Sequence, residues 1–268
     1  MLRELASRTA VAVVALPLVA ALLWLGGGLA AALFALAGAI GAYEYYRLTP
    51  LHRTAPSWAG IAATTCIAGA PLVVPGRWPL LTVVVLLLAS IASWTFLLAR
   101  GPRGDAPARA GHVLAGIVFA GAGLAALAML RSRADGLAWT AIVLAAAWSN
   151  DTGAFLGGKL LGRHRLLPVV SPGKTWEGLG FGAAAGLMGG LVAAACSPAL
   201  STRDGCVVGA LAAIVGPVGD LTKSMVKRAA GAKDSGTLFR AHGGMLDRID
   251  AVSYDAIAVA VYVAFVHA

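Results

Sequence analysis

The sequence predicts an all-α, polytopic integral membrane protein of about nine transmembrane helices with a cytoplasmic N-terminus. Three observations carry that expectation. Of 268 residues, 59% are hydrophobic and only 12% charged, where a soluble domain carries about a quarter charged residues. The apolar residues gather into runs close to the 20 or so that a hydrocarbon core of about 30 Å requires of a helix. The basic residues fall mostly into alternate breaks between those runs, as membrane topology demands.

In chain order, apolar runs between charged or Gly/Pro breaks place spans near 9–25, 29–43, 57–75, 78–98, 112–130, 137–156, 178–199, 205–226 and 249–266. Arg3 and Arg8 ahead of the first run imitate a signal peptide, but further apolar runs follow at once, so a retained helix is expected. The second run is short and could join the first as a hairpin. With the N-terminus inside, the cytoplasmic breaks receive 17 of the basic residues, and only Arg77, Arg131, Arg133 and Arg203 lie outside. This split supports nine spans, N-terminus in and C-terminus out; the expected location is the cell's inner (cytoplasmic) membrane. No separate soluble domain fits. Residues 1–136 read as a scaffold of lipid-facing helices and residues 137–268 as a catalytic region whose active site faces the cytoplasm.

The formal net charge of +9 would, taken alone, admit nucleic acid, anionic lipid or a polyphosphate as partner. Positive-inside loops account for most of it, and no nucleic-acid partner is expected. Cys66, Cys196 and Cys206 have no CxxC spacing and sit in or beside apolar runs, so they read as small buried residues. The Ala/Gly/Leu bias marks close helix packing.

Acidic residues are not required by the positive-inside rule, so their placement is informative. Eight of the twelve lie between Asp151 and Asp255. In the eighth span, Asp220, Lys223, Ser224 and Lys227 have offsets that place them on one helical face. An unpaired carboxylate near membrane depth costs several kcal/mol, so Asp220 should have a cation beside it, and Lys223 or Ser224 could serve as a purely structural partner. Pro217 removes the helical donor to the Ala213 carbonyl and should kink this helix.

The loop that follows carries Lys227-Arg228, Lys233-Asp234, His242-Gly243-Gly244 and Asp247-Arg248-Ile249-Asp250. Its basic residues suit a polyphosphate, and the Gly243-Gly244 pair lets a turn present N–H groups to phosphate oxygens. Asp247 and Asp250 are three apart, so one helix turn would aim both into the same pocket. Carboxylates from different helices, such as Asp220 and Asp247, are what a nucleotide-bound divalent cation requires. His242 suits a loop-fixing hydrogen bond or proton transfer alike.

An earlier cluster runs Asn150-Asp151-Thr152-Gly153, Gly157-Gly158-Lys159 and Ser171-Pro172-Gly173-Lys174-Thr175-Trp176-Glu177-Gly178. Ser171, Lys174 and Thr175 supply the donors of a phosphate-binding turn, but the spacing is not that of a Walker A loop. Pro172 and Glu177 equally suit a turn that opens a helix. Glu44-Tyr45-Tyr46-Arg47 reads as an interfacial aromatic anchor with a local ion pair.

The stretch from Ser224 through Lys233-Asp234-Ser235-Gly236 to His242-Gly243-Gly244-Met245-Leu246-Asp247-Arg248-Ile249-Asp250 resembles the signature of phosphatidate cytidylyltransferases. The Asp151-Thr152-Gly153-Ala154 and Ser171–Gly178 segments are similar to two further stretches of that family. The resemblance covers about residues 148–255. Arg240-Ala241 stands where the family usually has Pro-Gly, which leaves room for a paralogue acting on another lipid phosphate.

The resemblance implies that CTP and phosphatidate give CDP-diacylglycerol and pyrophosphate. It implies Mg2+ as cofactor and K+ as a candidate second ion, and it leaves room for a homodimer. It further implies Asp220 and Asp247 as metal ligands; Lys227, Arg228, Lys233 and Arg248 as phosphate holders; and Asp234 and Asp250 as orienting groups. Ser171, Lys174 and Thr175 would contact the lipid phosphate or the leaving pyrophosphate, with Asp151, Ser224, Gly243 and Gly244 beside the substrates. A transporter is the competing class, since ionisable residues and a Pro-kinked span also occur in ion pathways. Against it, the charges gather at one membrane face.

Overall fold

Every long apolar run in the described part of the chain is helical, because a backbone with no water to bond must satisfy its own N–H and C=O groups. The computed structural model describes residues 17–101, 104–232, 234–236 and 243–267. Arg3 and Arg8, the start of the first apolar run, Lys233, Arg240, Ala241 and His242 therefore lie outside the described residues. Among the described helices, five are long and apolar enough to cross a membrane. Two compact units divide the chain, and each is described by itself.

The first unit holds the described residues up to Ser132 together with Asp234–Arg248. Its helices are α1 (Gly27–Arg47), α2 (Ala55–Val73), α3 (Trp78–Leu98), α4 (Ala106–Ile117) and α5 (Gly123–Arg131). A single π-helical turn, Val118–Ala122, joins α4 to α5 in one apolar stretch. Residues 17–25 are helical and separate from α1 at Gly26, whose φ of 67° an L side chain rarely adopts. Arg131 fixes this break by donating to the carbonyls of Leu23 (2.7 Å) and Trp24 (3.1 Å). Thr54 and Ser57 form a reciprocal capping box that starts α2. On α3, Leu80, Leu87, Leu88 and Ile91 stand exposed, as a helix facing lipid requires.

The second unit holds Arg133–Lys233 and Ile249–Ala268. Its helices are α6 (Gly136–Leu161), α7 (Trp176–Ala195), α8 (Thr202–Ala229) and α9 (Asp250–Val266). The buried positions of α7 are Gly178, Gly182, Gly186, Gly190 and Ala194, a stripe of small residues at i, i+4 spacing that admits α6 and α8 closely. A Cβ on Gly182 would stand 2.8 Å from Asn150 Oδ1 and 2.9 Å from Ala154 Cβ. Ser201 and Asp204 cap α8, and Asp204 Oδ1 also accepts from Tyr262 Oη (2.7 Å) and His267 Nε2 (2.8 Å). That network ties the end of α9 to the start of α8.

Three expectations need correction. A two-stranded antiparallel hairpin, β1 (Arg165–Leu167) and β2 (Ser171–Thr175), interrupts the otherwise helical chain. The three cysteines are exposed rather than buried, Cys66 and Cys206 on helices and Cys196 in the turn that ends α7, where a thiol behaves as a small apolar group. Asp247 is not on a helix turn with Asp250: α9 begins at Asp250, and Asp247 lies in the turn before it.

Candidate active site

A cavity of about 700 Å³ in the second unit gathers residues of the earlier of the two polar clusters. α6 contributes Asn150, Asp151 and Lys159; the hairpin contributes Arg165, Ser171, Lys174 and Thr175; α8 contributes Pro217 and Asp220. Pairing of Arg165 with Thr175 and of Leu167 with Ser171 sets the hairpin's register. Thr175 ends the strand and starts α7, its hydroxyl accepting from the Gly178 N–H at 3.1 Å. Glu177 in the first helical turn accepts from the Arg163 N–H (3.1 Å) and from His164 Nδ1 (2.6 Å). The acid of the predicted helix start is thus also the clasp of the hairpin.

Lys174 Nζ lies 2.6 Å from Asp220 Oδ2, and both side chains are about a third exposed or less. Asp220 therefore takes its cation from the hairpin, 46 residues away in sequence, rather than only from the helix periodicity that singled out Lys223 or Ser224. Lys223 itself is 1% exposed. Ser224, Lys227 and Arg228 occupy the last turns of α8 and do not line the cavity. Arg228 donates instead to the carbonyls of Val170 and Ala232, each at 3.4 Å, which holds the hairpin's turn against the end of α8. Asp250 is the first residue of α9, with Oδ1 accepting from the Ala251 N–H at 2.9 Å.

The signature loop belongs to the first unit, and a residue from α1 organises it. Glu44 is 3% exposed. Its Oε2 accepts from Ser235 Oγ (2.9 Å) and the Leu246 N–H (2.8 Å), and its Oε1 from the Met245 N–H (3.0 Å). The expected interfacial anchor is thus a buried carboxylate spent on the loop, and Tyr46 beside it donates to the Val113 carbonyl at 2.7 Å. Asp247 Oδ2 accepts from the N–H groups of Ser235 and Gly244, both at 3.0 Å, and lies 3.0 Å from Ser235 Oγ, whose single proton can serve Asp247 or Glu44 but not both at once. The Gly244 N–H is therefore given to Asp247 instead of being presented to a phosphate. Gly243, with φ 76°, and Gly244 are needed because a side chain on either would meet the carboxylate of Asp247 or of Glu44. Asp234 and Arg248 are exposed at the two ends of this described stretch.

Sequence reasoning named neither Glu44 nor the cavity's Lys159 and Arg165 as site residues. A carboxylate inside an apolar run was itself the signal for Glu44, since such a group is expensive without a purpose.

The cavity sets three basic side chains, Lys159, Arg165 and Lys174, against two acids, Asp151 and Asp220. Fold and site together define a helical membrane protein with a net-basic cavity fit for an anionic ligand. The chain belongs to the Cytidylyltransferase family, which it matches over residues 6–266. It is similar to the phosphatidate cytidylyltransferase of Brucella suis biovar 1, 37% identical over 237 residues that cover 85% of this chain and 83% of the relative. The phosphatidate cytidylyltransferase of Mycobacterium bovis is 34% identical over 131 residues, 49% of this chain and 43% of that one. An uncharacterised protein of Escherichia coli (strain K12) is 42% identical over 114 residues, 42% of this chain and 38% of its own.

Proposed function

We propose that the protein transfers a cytidylyl group from CTP to phosphatidate, giving CDP-diacylglycerol and pyrophosphate. The observation that carries this reading is the cavity in which Lys159, Arg165 and Lys174 converge with Asp220, in a chain whose relative along most of its length is a phosphatidate cytidylyltransferase. In the reaction a phosphatidate oxygen forms a bond to the α-phosphorus of CTP, and the bond from that phosphorus to the bridging oxygen breaks, releasing pyrophosphate. The nucleotide brings about four negative charges, so the protein's task is neutralisation and alignment. Lys159, Arg165 and Lys174 neutralise phosphate oxygens, and Ser171 and Thr175 orient them by hydrogen bonds. Lys227, Arg228, Lys233 and Arg248 supply further positive charge from the end of α8 and from the loop.

Among the described residues no three Asp, Glu, His or Cys side chains gather as a metal site, so magnesium is proposed to come with the nucleotide, taking one or two carboxylates from the protein and the rest of its ligands from phosphates and water. Asp220 already accepts a cation, the Lys174 ammonium, at 2.6 Å, and oxygen ligands are what a hard divalent ion takes. Asp220 and Asp247 are each proposed as a ligand, and the ion would supply charge neutralisation on the nucleotide's phosphates.

Nine spans, a cytoplasmic N-terminus, residence in the inner membrane and an active site at its cytoplasmic face complete the proposal. The 17-to-4 division of basic residues between alternate breaks supports that orientation. The test is a panel of lipid phosphates offered with labelled CTP to the purified protein. Phosphatidate should be the preferred acceptor, and a preference of more than tenfold for another lipid phosphate would assign the chain to a paralogous activity.

A further inference from the structure

The hairpin that brings Ser171, Lys174 and Thr175 to the cavity ends in a tip that does not line it. Residues 167–170, Leu-Pro-Val-Val, form a tight turn closed by the Val170 N–H on the Leu167 carbonyl at 3.2 Å. Pro168 presets the backbone angle of the turn's second position. Turns that face water favour Gly, Asn, Asp or Ser, and this one has none of them. Val169 is 90% exposed and Leu167 45%. The turn is held in place, because Arg228 donates to the Val170 carbonyl at 3.4 Å. Glu177 fixes the open end of the hairpin through His164. An apolar tip is thus presented outward on a braced support.

Charge and position identify what the tip meets. From Thr152 to Trp176 the chain carries Lys159, Arg163, Arg165 and Lys174 and no acid. Arg163 is exposed and does not line the cavity. β2 runs directly into α7, one of the helices long and apolar enough to cross a membrane. Trp176, the first residue of α7, is 59% exposed, as an aromatic at the membrane–water boundary is. Leu160 and Leu161, where α6 ends, are exposed as well. At about 3.3 Å per residue, Val170 lies at most about 20 Å from Trp176, so a hairpin lying along the surface keeps its tip among the headgroups. Apolar residues flanked by basic ones are what an interfacial segment uses on anionic lipid. We propose that the hairpin docks residues 167–170 into the anionic headgroup layer of the membrane the protein spans, with Arg163 supplying charge attraction beside the tip. The occupant is the lipid surface itself, so the inference goes beyond the proposed reaction and does not depend on it. Seating the tip also fixes β2, the strand that presents Ser171 and Lys174 to the cavity.

The test reads the surroundings of the tip, not turnover. Val169→Cys, in a chain whose three native cysteines are alanine, is labelled with an environment-sensitive dye and placed in lipid nanodiscs, which leave both membrane faces open to solvent. The discs contain phosphatidylcholine with or without phosphatidylglycerol. Lipids brominated near the headgroup should quench the dye, and acrylamide in the water should quench it weakly. Phosphatidylglycerol should strengthen the protection from acrylamide, and high salt should remove that gain, since exposed charges are screened. Arg163→Gln should reduce the phosphatidylglycerol gain. Leu167→Asp leaves the dye in place and should lose the quenching by brominated lipid. If Leu167→Asp changes nothing, the dye rather than the tip seeks the lipid, and the proposal falls. Full acrylamide quenching with none from brominated lipid would place the tip in water and overturn the docking. Protection without quenching by brominated lipid would overturn it in favour of a second copy of the chain. Equal behaviour with and without phosphatidylglycerol would overturn the anionic selectivity.

Discussion

Glu44→Gln should loosen the signature loop while leaving the helices in place. The carboxylate accepts from Ser235 Oγ and the Leu246 N–H on one oxygen and from the Met245 N–H on the other, at 2.8 to 3.0 Å. Glutamine keeps the shape but has one acceptor oxygen, so whichever way its amide turns, at least one donor meets an NH2 group. A buried N–H left without an acceptor costs about 1–3 kcal/mol. The surviving bonds also fall from charge-assisted to neutral, losing roughly half their strength. The sum is about 2–5 kcal/mol, shared between a less stable unit and a less ordered loop. If about 2.7 kcal/mol of it reaches the transition state, kcat/KM falls hundredfold. Glu44→Asp keeps the charge and loses one methylene, so it should recover most of the activity. The assay is transfer of labelled CTP into lipid at saturating and limiting CTP, per molecule of protein that elutes as a folded monodisperse peak. A positioning role predicts a fall in turnover that Glu44→Asp rescues. Wild-type kinetics for Glu44→Gln would refute the role given to these three hydrogen bonds.

Four further outcomes follow from the same geometry. Lys174→Met strips Asp220 of its 2.6 Å partner and the cavity of one positive charge, so KM for CTP should rise about tenfold, a change of about 1.4 kcal/mol, as measured by initial rates. Asp220→Asn and Asp247→Asn should each lower turnover at least hundredfold, about 2.7 kcal/mol of barrier, and weaken apparent magnesium affinity in a magnesium titration; near-wild-type turnover at limiting magnesium would remove that residue from the ligand set. Asp204→Asn disturbs the acceptor of Ser201, Tyr262 and His267 and should cost about 1–3 kcal/mol of stability, read as a lower thermal midpoint with activity per folded molecule unchanged. Single cysteines at Ala106 and Ala232, in a chain without its native three, should react with an impermeant reagent only from the cytoplasmic side, and labelling from outside intact cells would reverse the proposed topology.

What was legible in the sequence follows from the range over which each signal acts. Helices α1 to α9 fall on the apolar runs because hydropathy and backbone satisfaction are local properties that need no knowledge of neighbours. The hairpin was not legible: Ser171-Pro172-Gly173-Lys174-Thr175 contains residues that strands disfavour. Pairing with Arg165–Leu167 and the clasp of Glu177 on His164 impose its form. Asp220 was recognised as needing a cation, but helical periodicity sees only partners three or four residues away, and Lys174 arrives from a different element. Glu44 and Asp255 carried the same warning, an acid inside an apolar run. The purpose of Glu44 depends on Ser235, Met245 and Leu246 of the loop, and Asp255 packs against Gly216 of α8, contacts that no window along the chain contains. The signature residues themselves were plain in the sequence, whereas the use of the Gly244 N–H by Asp247 was not.

The central claim is that the α-phosphorus of CTP is the atom transferred. Purified wild-type protein supplied with phosphatidate and magnesium should place label from α-phosphate-labelled CTP in lipid. It should release label from γ-phosphate-labelled CTP as pyrophosphate in equal amount. Label from the γ-phosphate in lipid, or no label in lipid from either nucleotide, would contradict it.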